Sequence, residues 1–129
     1  MAFGAKYDFS GAVIAVTGGT RGIGREICEH FAAFGAKVST CGRREPETAY
    51  ESELIEFTAL DVRDAEQSQA WLDSIESKYS RLDVLINNAG GSPAVASADA
   101  SASFTRKIIE LNLVAPLVLA QQAYPLLRH

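Results

Sequence analysis

Short apolar runs and helical stripes alternate from one end of the chain to the other. Residues 12–16, Ala-Val-Ile-Ala-Val, form a continuous apolar run that gives way to Gly18 and Gly19. A β-branched run without polar alternation predicts a strand buried on both faces, as in parallel sheets. Ile23, Ile27, Phe31 and Phe34 then recur at spacings of four and three, predicting a helix with one apolar face that stops at Gly35. Residues 37–41 predict a second, weaker strand and residues 54–60 a third. Residues 43–53 between them are crowded with charge and hold Pro46, so a solvated connection with room for a short helix is expected. Asp64, with Gln67 three residues on, opens a helix as a capping-box variant. Its stripe is Ser68, Trp71, Leu72, Ile75 and Tyr79. Residues 83–86 predict a fourth strand, ended by Asn87-Asn88-Ala89-Gly90.

Residues 91–103 are small and polar, the composition of a mobile loop. The last element runs from about Phe104 to the C-terminus with two apolar stripes, Phe104/Ile108/Leu111/Ala115/Leu119 and Ile109/Leu113/Leu117/Ala120/Tyr124. A helix apolar on both sides calls for two packing partners. Strand–helix alternation over the whole chain predicts right-handed βαβ units and an open parallel sheet, an α/β doubly wound fold of order 3-2-1-4. Residues 1–129 read as one domain. In such sheets ligands bind beyond the carboxyl ends of the strands, here in the crevice between strands 1 and 4.

Composition narrows the function. The chain has 129 residues, 47% hydrophobic and 22% charged, with 12 basic against 16 acidic residues and a formal charge of −4. That is globular and mildly acidic, which argues against nucleic acid or an anionic membrane as partner, since both need a basic face. Leu111–Leu127 lacks charge over 17 residues but contains Asn112, Gln121, Gln122 and two prolines, and falls short of the roughly 20 apolar residues of a membrane span. The N-terminus shows no basic and then apolar leader pattern, and two cysteines make no disulfide framework. A reducing, cytoplasmic setting is expected. Cys28 and Cys41 read as small core residues, and neither they nor His30 and His129 have metal-ligand spacing, so no metal site is expected.

The chemistry concentrates in Thr17-Gly18-Gly19-Thr20-Arg21-Gly22-Ile23-Gly24, placed between the first strand and the first helix. Glycines there turn the chain sharply, let backbone N–H groups approach a phosphate, and let helix and strand pack closely. The helix N-terminus adds unpaired donors and a partial positive charge. The spacing is G-x-x-x-G-x-G, and no Lys-Ser/Thr follows as a Walker A loop requires.

Together with Asp61-Val62 after the third strand, Asn87-Asn88-Ala89-Gly90 after the fourth and Asn112 in the last helix, this loop resembles the N-terminal half of a short-chain dehydrogenase/reductase. The resemblance implies a Rossmann-type sheet, incomplete here because its later strands are absent, and hydride transfer between a nicotinamide dinucleotide and an alcohol or carbonyl substrate. Gly18, Thr20, Arg21, Gly22, Ile23 and Gly24 would then line the pyrophosphate and ribose. Asp61 would accept from the adenine amino group beside Val62, though a strand-end carboxylate facing water is the plainer alternative. Asn88, Ala89 and Gly90 would approach the adenosine ribose and steady the sheet.

Cofactor choice turns on the end of the second strand. Gly42 stands where the family's NAD-selecting Asp would be, Arg43 follows, and Arg21 can reach across from the glycine loop. A guanidinium forks onto phosphate, which favours NADP over NAD; Arg43 and Arg44 are otherwise part of a solvated charge run. Of the family's catalytic groups only Asn112 has a match, where Pro116 would also free its backbone carbonyl in a bent helix. The Ser and the Tyr-x-x-x-Lys pair have none, so the chain alone is expected to be inactive. A non-catalytic dinucleotide-binding module and an inactive fragment remain alternatives. The last helix and the exposed edge of the fourth strand are expected to make it a homo-oligomer.

Overall fold

Four parallel strands carry the fold: β1 (Val13–Thr17), β2 (Lys37–Gly42), β3 (Ile55–Ala59) and β4 (Val84–Ile86). They lie in the order β3-β2-β1-β4, as the sequence pattern predicts. The computed structural model describes residues 6–128. Residues 1–5, on which part of the reading of the N-terminus falls, and His129 lie outside the described residues. None of the helices among the described residues is long and apolar enough to cross a membrane.

Every residue of β1 is buried, because the sheet is covered on both faces and side chains alternate between them. Val13 and Ala15 face one cluster with Trp71, Leu72, Ile75, Leu119 and Ala123. Ile14 and Val16 face the other, with Cys28, Ala32 and Val38. The first cluster is covered by α2 (Ala65–Tyr79) and α4 (Ala115–Leu127), the second by α1 (Gly22–Ala33). Trp71 is a core residue whose indole N–H still finds a partner, donating to Ser39 Oγ at 2.8 Å. Register places Thr17 opposite Cys41 and Val16 opposite Ile86, so the strands end together and their following loops share one rim.

α1 corrects half of its expected face. Ile27 and Phe31 pack, half-buried, against the core, but Ile23 is 76% exposed and Phe34 39%; the fully buried residues of the helix are Gly24, Cys28 and Ala32. Small residues let the helix axis approach the strands closely, which displaces the large ones to its flank. There Phe31 and Phe34 join Phe9 and Tyr7 in an aromatic cluster with Phe9–Phe31 centroids 5.0 Å apart. Residues 43–53 contain no helix.

α2 begins as expected. Asp64 accepts from the N–H groups of Glu66 and Gln67 at 3.0 and 3.1 Å, and its stripe of Ser68, Trp71, Leu72 and Ile75 is buried. Gln67 departs from a reciprocal box: its Oε1 accepts from Asp61 N–H, at 3.1 Å. The last element starts two residues earlier than expected, at α3 (Ala102–Ile109), where Ser101 Oγ caps Phe104 N–H. It then widens into a π segment, Glu110–Val114, before α4. Its first stripe turns inward, with Ala115 and Leu119 buried. The second does not: Ile109, Leu113, Leu117 and Tyr124 are each about half exposed (47–60%), because nothing among the described residues packs beside them.

At the opposite rim Asp83 ties β1 to β4. Its Oδ2 accepts Val13 N–H at 2.8 Å, its own N–H donates to Val13 O at 2.9 Å, and Arg81 grips the carboxylate. The Arg81 hydrogen bonds, aided by Val13 N–H, hold its pKa below the usual carboxylate value against desolvation. A depressed folded-state pKa stabilises above the unfolded value near 3.9, and that contribution is lost as pH falls through the folded value. Asp83→Asn is therefore expected to melt in less urea than the parent at pH 7, with the gap closing as pH falls below the ordinary carboxylate value near 3.9. Urea melts of both proteins at pH 7, 4 and 2.5 check this; a gap independent of pH contradicts it.

Candidate functional site

The loops that follow the four strands enclose a cleft of about 830 Å³ along the carboxyl rim of the sheet. All twelve residues singled out for cofactor binding line it: Gly18, Thr20, Arg21, Gly22, Ile23, Gly24, Arg43, Asp61, Val62, Asn88, Ala89 and Gly90. They come from four separate loops, and only the parallel topology brings them together.

Close approach of backbone to backbone builds the floor. Gly18 has φ +72°, a left-handed conformation that favours glycine, and donates its N–H to Cys41 O at 2.8 Å. A Cβ on Gly24 would collide with Gly18 O and Asn88 Nδ2, so α1 begins pressed against the turn before it. Thr17, buried at the end of β1, accepts from the N–H groups of both Asn88 (3.0 Å) and Ala89 (2.9 Å) through one hydroxyl. Asn88 Nδ2 returns two bonds, to Thr17 O and Gly18 O at 3.1 and 3.2 Å. The asparagine thus steadies the sheet rather than only its own turn.

The start of α1 differs from those of α2 and α3. Those two are capped by Asp64 and Ser101. At the N-cap of α1 stands Arg21, which makes no side-chain cap bond, and no acidic residue occupies the first turn. The N–H groups of Gly22, Ile23 and Gly24 have no acceptor among the described residues, so the positive end of the helix faces the cleft. Charge adds to this. Arg21, Arg25, Arg43, Arg44 and Arg63 line the cleft against Glu45, Glu47 and Asp61, a local positive excess in a chain of net charge −4.

Asp61 is neither free nor simply facing water. Arg63 Nε donates to its Oδ1 at 3.0 Å and Nη2 to Oδ2 at 2.6 Å. These hydrogen bonds outweigh desolvation and keep the carboxyl ionised, with its pKa below the ordinary value. Gly42 abuts the glycine loop: a Cβ there would stand 3.2 Å from the Thr20 methyl.

Asn112 lies at the edge, in the π segment. Its Oδ1 accepts from Gly91 N–H, while its Nδ2 donates to Gly91 O and Ile108 O, all at 2.9 Å. The helix widens here into the π turn of Glu110–Val114. Thr17 stands in the sequence motif without an assigned role, and the residues that sequence reasoning leaves out are Arg63 and Tyr50, whose hydroxyl donates to Gly19 O at 3.1 Å. Arg63 had a signal in its place two residues after Asp61; Tyr50, 31 residues from Gly19 in the chain, had none. No cluster of three or more potential metal ligands occurs among the described residues.

Known proteins resemble this chain along nearly its whole length. The family model described as short chain dehydrogenase matches residues 12–129. The L-fucose dehydrogenase of Oryctolagus cuniculus is 38% identical over 132 residues, covering 99% of this chain and 46% of the relative. A tropinone reductase homolog of Arabidopsis thaliana is 33% identical, over 95% of this chain and 50% of its own length. The chain therefore spans about half the length of the curated relatives it matches. Among solved structures, the ligand-free aldohexose dehydrogenase of Thermoplasma acidophilum aligns with a TM-score of 0.83 at 31% identity, over 94% of this chain and 45% of that one. A short chain dehydrogenase of Leptospira borgpetersenii serovar Hardjo-bovis with bound NAD+ gives 0.85 at 25% identity, over 92% and 47%.

Thr17 supplies a test of the floor. Thr17→Val leaves two amide hydrogens without their acceptor and is expected to cost about 2–3 kcal/mol, whereas Thr17→Ser keeps the oxygen and stays within about 1 kcal/mol of the parent. Urea denaturation of the three proteins reads both values, and equal losses for Val and Ser would contradict the role of the hydroxyl.

Proposed function

The chain belongs to the short chain dehydrogenase family, and we propose that residues 1–129 form the NADP-binding half of such an oxidoreductase. What carries the proposal is the uncapped, acid-free start of α1, opening into a cleft whose lining arginines outnumber its carboxylates. A diphosphate fits that cradle, since it is an anion that accepts from consecutive backbone amides. Gly22, Ile23 and Gly24 would hold it with Arg21 beside them, Asp61 and Val62 would take the adenine, and Asn88, Ala89 and Gly90 the neighbouring ribose. Arg43 would fork onto the 2′-phosphate. Gly42 supports this choice over NAD, because a carboxylate side chain there would press on Thr20 and stand next to the phosphate. The nicotinamide of the bound cofactor would exchange a hydride with a small alcohol or carbonyl compound.

Asn112 serves as a positioning residue in this proposal, since all three of its hydrogen bonds go to backbone. The chain has no Tyr-x-x-x-Lys pair, so residues 1–129 by themselves would bind cofactor without turnover. A non-catalytic dinucleotide-binding module is the second reading, favoured by the same complete cleft without catalytic partners; binding without turnover by the full-length protein would select it. The buried free thiols Cys28 and Cys41 suit a reducing cytosol.

Calorimetric titration tests the cofactor. NADP is expected to bind more tightly than NAD, and Arg43→Ala to weaken NADP about tenfold while leaving NAD nearly unchanged; tighter NAD binding overturns the assignment. The exposed stripe of Ile109, Leu113, Leu117 and Tyr124 is proposed to pack against a second copy. Glutamate at both Leu113 and Leu117 is expected to shift sedimentation to the monomer, and an unchanged sedimentation coefficient rejects that interface.

A further inference from the structure

The segment between β2 and β3 carries Arg43 at its start, yet it has no internal means of holding a shape. Residues 43–51 take part in no backbone–backbone hydrogen bond among the described residues, and they form no helix or strand. Every hydrogen bond they make runs out of the segment to α1 or to the glycine loop. Arg25 Nη1 donates to Thr48 O at 2.8 Å and Nη2 to Ala49 O at 2.5 Å. Glu29, one helical turn on, accepts Glu51 N–H at 3.1 Å and also grips Arg25 at 3.4 Å. Tyr50 lies under the Arg25 guanidinium, 4.8 Å from ring centroid to Cζ, and its hydroxyl reaches Gly19 O. The Arg25 and Glu29 side chains are themselves less than one-fifth exposed, although the Thr48 and Ala49 carbonyls they meet lie at the surface.

A planar fork suits this duty. Arg presents two parallel N–H groups that meet two consecutive carbonyls at once, and its flat face stacks on an aromatic ring; Lys can do neither. The Tyr50 phenol is pushed up to about 12, chiefly by burial, so it remains a donor to Gly19 across the physiological range. The segment is thereby fastened at Thr48–Glu51, a few residues beyond the arginine it delivers to the cleft.

We propose that Arg25 is a specificity-positioning residue, fixing segment 43–51 so that Arg43 is presented to a 2′-phosphate at the adenosine end of the cleft. The premise is the placement of Arg43 made under Proposed function. Without the clasp the segment is free to move and Arg43 pays an ordering cost on binding. Arg25 also lines the cleft, but its guanidinium is taken by Thr48, Ala49 and Glu29, so the diphosphate would be held by the α1 amides and Arg21. The loss is therefore selective for the phosphorylated ligand.

The experiment measures binding of 2′,5′-ADP and of 5′-ADP to the full chain, its Arg25→Met, Arg25→Lys and Arg43→Ala variants, with melting curves to confirm that each is folded. Arg25→Met is expected to weaken 2′,5′-ADP about tenfold and 5′-ADP less than about twofold, with Arg25→Lys no better than halfway back. Exchange of the Glu51 amide, the one N–H of the segment with an acceptor among the described residues, on Glu29, should rise in Arg25→Met and stay unchanged in Arg43→Ala, a readout that separates positioning from contact. Equal weakening of both ligands by Arg25→Met, or no weakening of either while Arg43→Ala remains selective, overturns the role of Arg25 and leaves the placement of Arg43 intact. If the unsubstituted protein binds the two ligands equally, the placement of Arg43 falls and this role falls with it.

Discussion

One hydroxyl determines how the two central loops meet. Thr17 ends β1 below the surface and offers its oxygen to two successive amides after β4. A serine or threonine oxygen can accept twice, and both bonds here are shielded from solvent. Asn88 answers with its side-chain amide to the carbonyls of Thr17 and Gly18. The crevice at the switch point of the sheet is thus a bonded seam, and the cradle at the start of α1 inherits its position from that seam through Gly18 and Gly24.

The sheet was legible because its signal is local. The first strand leaves an uninterrupted β-branched run, and three weaker apolar runs follow it, two of them after helical stripes, which leaves little freedom in topology. The residues of the cleft were legible for a related reason: each sits directly after a strand, and strand ends converge in a parallel sheet. On α1 the pattern holds for Ile27 and Phe31 and fails for Ile23 and Phe34, because hydrophobic size does not by itself indicate depth. What decides depth there is how closely two backbones can approach, and that favours Gly24, Cys28 and Ala32 over Ile23 and Phe34. Likewise the second stripe of the last helix reads as core from periodicity alone, although nothing among the described residues covers it.

Contacts made by long polar side chains were the least legible. Arg63 closing on Asp61, and Arg25 and Tyr50 reaching segment 43–51, depend on rotamers and on loop shape rather than on a repeating pattern. Their chemistry is nonetheless simple: a guanidinium satisfies carbonyls or a carboxylate in pairs, as Arg25 does for segment 43–51 and Arg63 for Asp61. The polar side chains on this rim serve two separate ends, one to fasten the protein to itself and one to face the cleft.

Gly91 has a consequence for the stretch that follows it. Its amide and its carbonyl are both taken by Asn112, while at the far end Ser101 locks the first turn of α3. Residues 92–100 therefore hang between two moored posts, largely exposed. A displacement of that span would be taken up between Gly91 and Ser101, where the two moorings lie, and would leave Gly90 and the sheet in place.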